Sequence, residues 1–179
     1  MEEDVIIKSN VPRVLTLPLA KLIFRKEKRI SSRLFSHTLT NFIDSLGEEK
    51  AKTTLYYVGR KVAKDLSREM EKEYNTKRVK SWEELLGNIE IFSEILNGCK
   101  SRMVKAKKSH TLLRLYDCPY CLLKKEYTSP ICSLASGVLA GVPEFALPDV
   151  SSSCVETKCN AVDSFLGFCE FKLSIKYIK

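Results

Sequence analysis

Six of the seven cysteines in this 179-residue chain lie in one stretch near its C-terminus. They are Cys118, Cys121, Cys132, Cys154, Cys159 and Cys169. Glu156 stands three residues before Cys159, so a carboxylate accompanies the thiols. Cysteines gathered in this way indicate a metal site, a disulfide framework or thiol redox chemistry. Choosing among these three decides most of the expected function.

The beginning of the sequence argues against a disulfide framework. The chain opens Met1-Glu-Glu-Asp4, which is acidic where a signal peptide requires positive charge. The apolar stretch 11–24 is interrupted by prolines and charged residues, so no membrane span is predicted. We therefore expect a cytoplasmic protein, in which disulfides seldom persist.

Cys118-Pro-Tyr-Cys121 by itself matches the active-site tetrapeptide of glutaredoxins. A thiol redox site needs this motif on a strand-to-helix turn, where the helix dipole stabilises the thiolate. In a thioredoxin-like fold the motif comes early, whereas here 117 residues precede it and further cysteines follow. A redox protein using Cys118 and Cys121 is therefore the less favoured alternative.

A zinc ribbon is also incomplete in this sequence. The spacing of Cys118 and Cys121 suits a zinc knuckle, but Cys154 and Cys159 are five residues apart. Cys169 lies ten residues further on. Because ligands on different strands can converge in space, the metal interpretation stays open without the ribbon.

Composition and charge predict one domain with a basic, solvated surface. Lys and Arg outnumber Asp and Glu by 30 to 22, which gives a formal net charge of +8. The cations are spread over every predicted helix, so we expect no nucleic-acid face. Residues 1–30 form an N-terminal extension and residues 31–179 a single domain. No motif supports a catalytic role, and a binding protein is favoured over an enzyme.

Hydrophobic periodicity predicts helices in the first half of the chain. The first begins near Ser31 and ends at Gly47, and the second runs from Glu48 to about Tyr74. Ser81-Trp-Glu-Glu84 is a capping box that begins a third helix, which Asn97-Gly98 ends. The predicted buried face of the second helix contains Leu55, Val58, Val62, Leu66 and Met70.

The second half alternates with a period of two residues, which is typical of strands. Strands are predicted at 99–106, 110–117, 150–161 and 168–177, with a helix at 130–140 after the second. Pro143 and Pro148 are expected to lie in a loop. The predicted fold is α+β: N-terminal helices pack on a twisted four-stranded antiparallel sheet whose chain order is strand-strand-helix-strand-strand.

The C-terminal pattern resembles the 4-vinyl reductase domain family, a small-molecule-sensing module. The resemblance rests on Cys132, a Gly137-x3-Gly141 helix, Glu156-x2-Cys159 and Cys169-Glu-Phe171. Tyr56-Tyr-Val-Gly59 on the second helix is also similar, and the match covers residues 30–176. It departs from the family at Asn160-Ala-Val-Asp163, where a glycine is often found; here Gly167 is closer to the last cysteine.

The resemblance implies a fold related to nitric-oxide-sensing and vesicle-tethering domains, enclosing an apolar pocket. It also implies one zinc ion, and the ligands carried over by motif are Cys132, Glu156, Cys159 and Cys169. Three thiolates and a carboxylate complete a tetrahedral zinc shell, which makes such a metal structural. Cys118, Cys121 and Cys154 are alternatives to Glu156 as fourth ligand.

A ligand pocket is predicted between the helices and the sheet, because glycines inside helices remove side-chain volume. Its residues are Tyr56, Val58, Gly59, Val62, Leu85, Ile89 and Phe92. Close helix packing explains Gly59 equally well. The favoured function is a zinc-stabilised sensor of a hydrophobic or aromatic small molecule. The alternative is a dimeric scaffold that binds protein, and a homodimer is expected from the wide apolar stripes of the first two helices.

Overall fold

The computed structural model describes residues 32–74, 79–97, 99–118, 121, 132–163 and 165–178. The predicted N-terminal extension and the first residues of the predicted fourth helix lie outside these ranges. The described elements, in chain order, are α1 (Ser32–Leu46), α2 (Glu48–Tyr74), α3 (Trp82–Asn97), β1 (Lys100–Ala106), β2 (His110–Tyr116), α4 (Ser133–Ala146), β3 (Val150–Lys158) and β4 (Phe168–Tyr177).

The four strands form one antiparallel sheet in the order β1-β2-β4-β3. The β1–β2 hairpin turns at 107–109, where the Lys107 N–H donates to the His110 carbonyl at 2.8 Å. The last strand therefore lies between β2 and β3. This architecture confirms the predicted α+β fold and its strand-strand-helix-strand-strand order.

Local sequence signals set the helix ends as expected. Gly47 has φ +78°, and its N–H donates to the Ile43 carbonyl at 2.8 Å, so it ends α1 in the left-handed conformation that glycine accepts. At the start of α3 the Glu84 N–H donates to the Ser81 hydroxyl, and the Glu84 carboxylate accepts the Lys80 N–H at 2.7 Å. Both caps confirm the sequence prediction.

The end of α4 differs from the prediction, since the helix continues to Ala146 and contains Pro143. Proline removes one backbone donor from a helix, but tertiary contacts can compensate. Here residues 135–143 are all buried, and the Ser152 hydroxyl donates to the Ala140 carbonyl. The following strand ends at Lys158, before the predicted residue 161; a bulge lies between Glu156 and Lys158, and the pair of Lys158 with Glu170 is the last in the ladder.

The face that α2 buries also differs from the prediction. Its buried residues are Ala51, Leu55, Gly59 and Ala63, which recur every four positions. Val58 and Val62, expected in the same buried stripe as Leu55, are 46% and 37% exposed. A face of small residues is buried instead because α2 packs mainly on α4.

The α2–α4 seam requires glycine on both helices. A Cβ on Gly137 would lie 2.0 Å from the Tyr56 carbonyl oxygen, and one on Gly59 would lie 2.3 Å from the Leu134 carbonyl oxygen. A Cβ on Gly141 would meet the Cβ of Ala63 at 2.6 Å. Backbones this close exclude any side chain, so close packing accounts for these three glycines.

The contacts between the helices and the sheet define the layers of the fold. The α4 helix lies between α2 and the sheet, where it packs on β3 and β4, and α3 packs on β1. Trp82, Leu85 and Ile89 bring the buried side of α3 to the core shared with Leu113, Leu115 and Phe171 of the sheet. None of the described helices combines the length and apolarity that a membrane span requires.

Candidate metal centre

Four chain segments meet at one end of the sheet, and each supplies cysteine or glutamate, the residue types that commonly ligate metals. Antiparallel pairing places the end of β2 beside the start of β4, with Leu115 opposite Cys169. The same pairing places the end of β3 on the other side of β4, with Lys158 opposite Glu170. Cys132 immediately precedes α4. The topology therefore brings Cys118 and Cys132, which precede Cys169 by 51 and 37 residues, to the same end of the sheet as Cys169.

Five buried thiols form the cluster: those of Cys118, Cys121, Cys132, Cys159 and Cys169. The Cys132 sulfur lies 3.8 Å from the sulfurs of Cys118 and Cys169. The Cys121 sulfur lies 3.1 Å from that of Cys132 and 3.4 Å from that of Cys169. Tetrahedral zinc with Zn–S bonds of about 2.3 Å separates its sulfurs by about 3.8 Å. The spacing is therefore close to that of a tetrathiolate shell.

Glu156 completes the donor set from β3. One carboxylate oxygen accepts the Cys132 N–H at 2.8 Å, and the other is buried without a hydrogen-bond partner. Burial first, and then the neighbouring Cys159 and Cys169, raise the pKa of this carboxyl to about 10. An unpartnered buried carboxylate oxygen beside thiols is the environment that a bound cation satisfies. The residues present therefore fit a thiolate-binding metal ion.

The connection from β3 to β4 positions two of these thiols. Cys159 begins it, and its carbonyl accepts the N–H groups of Val162 and Asp163. The Asn160 N–H donates to the Cys169 sulfur at 3.4 Å, and the Asn160 side chain accepts the Gly167 N–H at 2.9 Å. Gly167 has φ +68°, a left-handed conformation that glycine accepts, and it lies closer to the last cysteine than the glycine often found in the family.

The thiols have opposed proton affinities within the cluster. Burial raises the pKa of Cys132, and hydrogen bonding to its neighbours raises it further. Hydrogen bonds from the other thiols, that of Cys118 first, lower the pKa of Cys169. The cluster therefore favours the thiolate at Cys169 and the protonated thiol at Cys132.

All four ligands carried over by motif come together. Cys132, Glu156, Cys159 and Cys169 offer ligand atoms within 4.8 Å of one another. A second set, Cys118, Cys121, Cys132 and Cys169, meets the same criterion. Cys154 belongs to neither set; it lies on β3 opposite Leu173, and burial raises the pKa of its thiol. The sequence predicted Cys118 and Cys121 only as substitutes for Glu156, and it did not predict that they lie beside Cys132 and Cys169.

Both cysteines of the redox-like tetrapeptide are buried, Cys118 at 6% and Cys121 at 8% exposure. A thiol that attacks a substrate disulfide must be accessible. The Cys121 sulfur instead lies near three other cysteine sulfurs. This geometry favours metal binding over thiol exchange.

The residues of the predicted pocket do not lie together. Leu85 and Ile89 are fully buried on α3, whereas Val58 and Val62 are on the exposed face of α2. Gly59 faces α4, and the Phe92 side chain lies outside the described residues. The prediction assumed that α2 and α3 both cross the sheet; α2 contacts mainly α4 instead.

Polar contacts that sequence reasoning missed connect α2, α4 and β3. Arg60 pairs with Glu144, whose carboxylate also accepts the Ser152 N–H at 3.1 Å. The half-buried Tyr56 hydroxyl accepts the Cys154 N–H at 3.4 Å, and burial raises the pKa of this phenol. Arginine and glutamate 84 residues apart carry no sequence signal of their pairing.

Together, the helices and the β1-β2-β4-β3 sheet define a fold like that of 4-vinyl-reductase and vesicle-tethering domains, as the resemblance implied. Three solved structures share it. A trafficking protein particle complex subunit 3 from Naegleria fowleri, covalently bound to palmitic acid, is 15% identical with a TM-score of 0.66 and covers 84% of this chain and 98% of its own.

The phenol-responsive sensory domain of the transcription activator PoxR, solved with phenol, is 13% identical with a TM-score of 0.63. That alignment covers 81% of this chain and 74% of the PoxR chain. A vinyl-4-reductase family protein from Methanocaldococcus jannaschii is 21% identical with a TM-score of 0.55, over 88% of each chain. No sequence-family description matches the chain, and no curated protein matches it by sequence.

Proposed function

We propose that this chain is a zinc-stabilised binding domain for a hydrophobic or aromatic small molecule, acting as a cytoplasmic sensor. The observation that carries the proposal is the convergence of three buried thiols, those of Cys132, Cys159 and Cys169, with the Glu156 carboxylate at the end of the sheet. Two proteins of the same fold were solved with phenol and with palmitic acid, which supports an apolar ligand.

Zinc suits this donor set better than other common metals. Thiolate ligands select zinc, copper(I) or iron–sulfur clusters, while a carboxylate beside three thiolates is compatible with tetrahedral zinc. Four protein ligands leave no open position, so the ion serves as a structural link and not as a Lewis acid. It would fix the start of α4 to the end of β3 and to the start of β4.

For the ligand, the core between α3 and the sheet is the favoured location. Leu85 and Ile89 supply its apolar surface, and Ser101 on β1 supplies a polar group. The Ser101 hydroxyl oxygen is buried and has no hydrogen-bond partner, although its backbone N–H donates to Glu94. Ligand sites are mainly apolar with a few polar groups that fix orientation, and a phenol or carboxyl group would satisfy this hydroxyl.

The test is direct binding by the zinc-loaded chain. Native mass spectrometry of protein purified without detergent should show a retained ligand, or binding of added phenol or palmitate. Ser101→Ala should weaken phenol binding about tenfold, the loss of one hydrogen bond of about 1.4 kcal/mol. Ser153→Ala, an exposed position on β3, is the matched control and should bind normally. If the zinc-loaded parent binds neither probe at 1 mM, the proposal is rejected. A dissociation constant of 1 mM corresponds to a binding free energy of roughly 4 kcal/mol.

One observation favours a second candidate, a homodimeric protein-interaction scaffold. Tyr57, Val58 and Val62 expose apolar side chains on the outer face of α2, opposite the seam with α4. A second copy of this chain could cover that face through a two-fold contact. The parent should sediment as a dimer at micromolar concentration, whereas Val58→Glu with Val62→Glu should sediment as a monomer. A monomeric parent would contradict this candidate without affecting the ligand proposal.

A further inference from the structure

The thiol cluster contains more ligands than one tetrahedral ion can use. Five thiols and one carboxylate converge, and zinc in structural sites takes four ligands. The six donors divide into two overlapping sets of four, and Cys132 and Cys169 belong to both. We propose that the cluster holds two zinc ions bridged by the thiolates of Cys132 and Cys169. The proposal extends the metal centre of the proposed function by adding a second ion.

Sheet order supplies the first argument. Cys169 lies on β4, which has β2 on one side and β3 on the other. Cys118 and Cys121 follow β2, while Glu156 and Cys159 come from the end of β3. The Cys118–Cys121 segment therefore reaches the shared residues from the β2 side, and Glu156 and Cys159 reach them from the β3 side. Such an arrangement provides a separate pair of terminal ligands for each ion.

Geometry of the shared pair supplies the second argument. The sulfurs of Cys132 and Cys169 are 3.8 Å apart, which equals the edge of a zinc–sulfur tetrahedron of about 3.8 Å. A thiolate sulfur has several lone pairs and can bind two ions, so two tetrahedra can share this edge. Cys118 lies 3.8 Å from Cys132, as expected for a terminal ligand on the first ion.

Charge and hydrogen bonding supply the third argument. Five thiolates and a carboxylate would place six negative charges in a buried region, and two divalent ions neutralise four of them. Glu156 has one buried oxygen without a partner, and the second ion would occupy that direction. Cys121 and Cys159 would be terminal ligands of different ions, and their sulfurs are 3.9 Å apart, so binding of two ions requires Cys121 to move away from Cys159.

Metal counting tests the proposal. The full chain, made without a metal-binding tag and reconstituted with zinc alone, should contain two zinc ions by native mass spectrometry and elemental analysis. Cys118→Ser with Cys121→Ser should retain one ion, and so should Glu156→Gln with Cys159→Ser. Cys99→Ser and Cys154→Ser, buried thiols outside both sets, are controls that should retain two.

Cobalt(II) provides a second measurement that does not depend on stability. Two thiolate-bridged cobalt ions couple magnetically, so the electron paramagnetic resonance signal should rise with the first equivalent and fall with the second. A parent that binds one zinc, or two cobalt ions without coupling, would overturn the proposal. Such a result would leave ligand binding intact, so it is distinguishable from failure of the proposed function.

Discussion

The two ends of α4 are held by different means. At its N-terminus Cys132 joins a cluster of thiols whose stability we attribute to metal binding. Along its body Gly137 and Gly141 allow the α2 backbone to approach so closely that no side chain fits between. The first region depends on which side chains are present, and the second on their absence. The stability of the thiol cluster should therefore change when a chelator is added, whereas the stability of the α2–α4 seam should change only when side-chain volume is added.

Loss of metal is the largest expected effect. A structural zinc contributes on the order of 10 kcal/mol of binding free energy that the unfolded chain cannot use. Cys159→Ser, or a strong chelator, should therefore lower the melting temperature and leave β3 and β4 poorly formed. Hydrogen exchange should increase at residues 150–177 and much less at the α2–α4 seam. A melting curve unaffected by chelator would contradict a structural metal.

A methyl group in the seam should have the next largest effect. Alanine gains about 1 kcal/mol over glycine in an ordinary helix. At position 137 its Cβ would lie 2.0 Å from the Tyr56 carbonyl oxygen, and relieving such overpacking costs about 3 kcal/mol or more. Gly137→Ala should thus reduce the free energy of unfolding by at least about 2 kcal/mol net. Ser133→Ala on the same helix is the control. Equal stability of the two variants would show that the α2–α4 seam accepts a Cβ at position 137, contrary to the prediction.

The sequence predicted the metal end better than the seam. The resemblance to a family motif placed Cys132, Glu156, Cys159 and Cys169 in one site before any contact was known. The same motif could not place Cys118 and Cys121, because their approach to Cys169 depends on β4 lying between β2 and β3.

The seam was mispredicted because apolar volume was taken as the sign of burial. Val58 and Val62 are larger than Gly59 and Ala63, yet the small residues are the buried ones. Helical period identifies several possible faces, and the partner helix decides which of them is buried. Gly137 and Gly141 on α4 make the matching face small as well. The close approach of α2 and α4 could be predicted only by comparing the sequences of the two helices.

Removing the ion pair across the seam should have a smaller effect than the added methyl. Arg60 is 32% exposed and Glu144 is 26% exposed, and Glu144 also accepts the Ser152 N–H. Arg60→Met keeps the aliphatic contact but removes the charge, so we expect a loss of about 1 kcal/mol. Lys61→Met, at an exposed neighbouring position, should change stability little. A larger loss in Lys61→Met would indicate that the pair contributes nothing specific.

The smallest expected change in stability follows from a substitution near the thiol cluster, where a bound ion should compensate for a lost hydrogen bond. Asn160 holds the β3–β4 connection through its side-chain hydrogen bond to the Gly167 N–H. Asn160→Ala should cost about 1 kcal/mol in the metal-free chain. With metal bound, Cys159 and Cys169 are fixed to the same centre, so the connection is already constrained at both ends.

The defect should therefore appear mainly as weaker metal binding. A cost of about 1 kcal/mol corresponds to roughly a fivefold loss of zinc affinity, which competition with a chromophoric chelator can measure. Val162→Ala, at an exposed position in the same connection, is the control and should bind zinc as the parent does. If Asn160→Ala lowers the melting temperature of the zinc-loaded chain while its zinc affinity stays unchanged, the connection stabilises the fold independently of the metal. The two ends of α4 would then differ less than their chemistry indicates, because local packing would hold both.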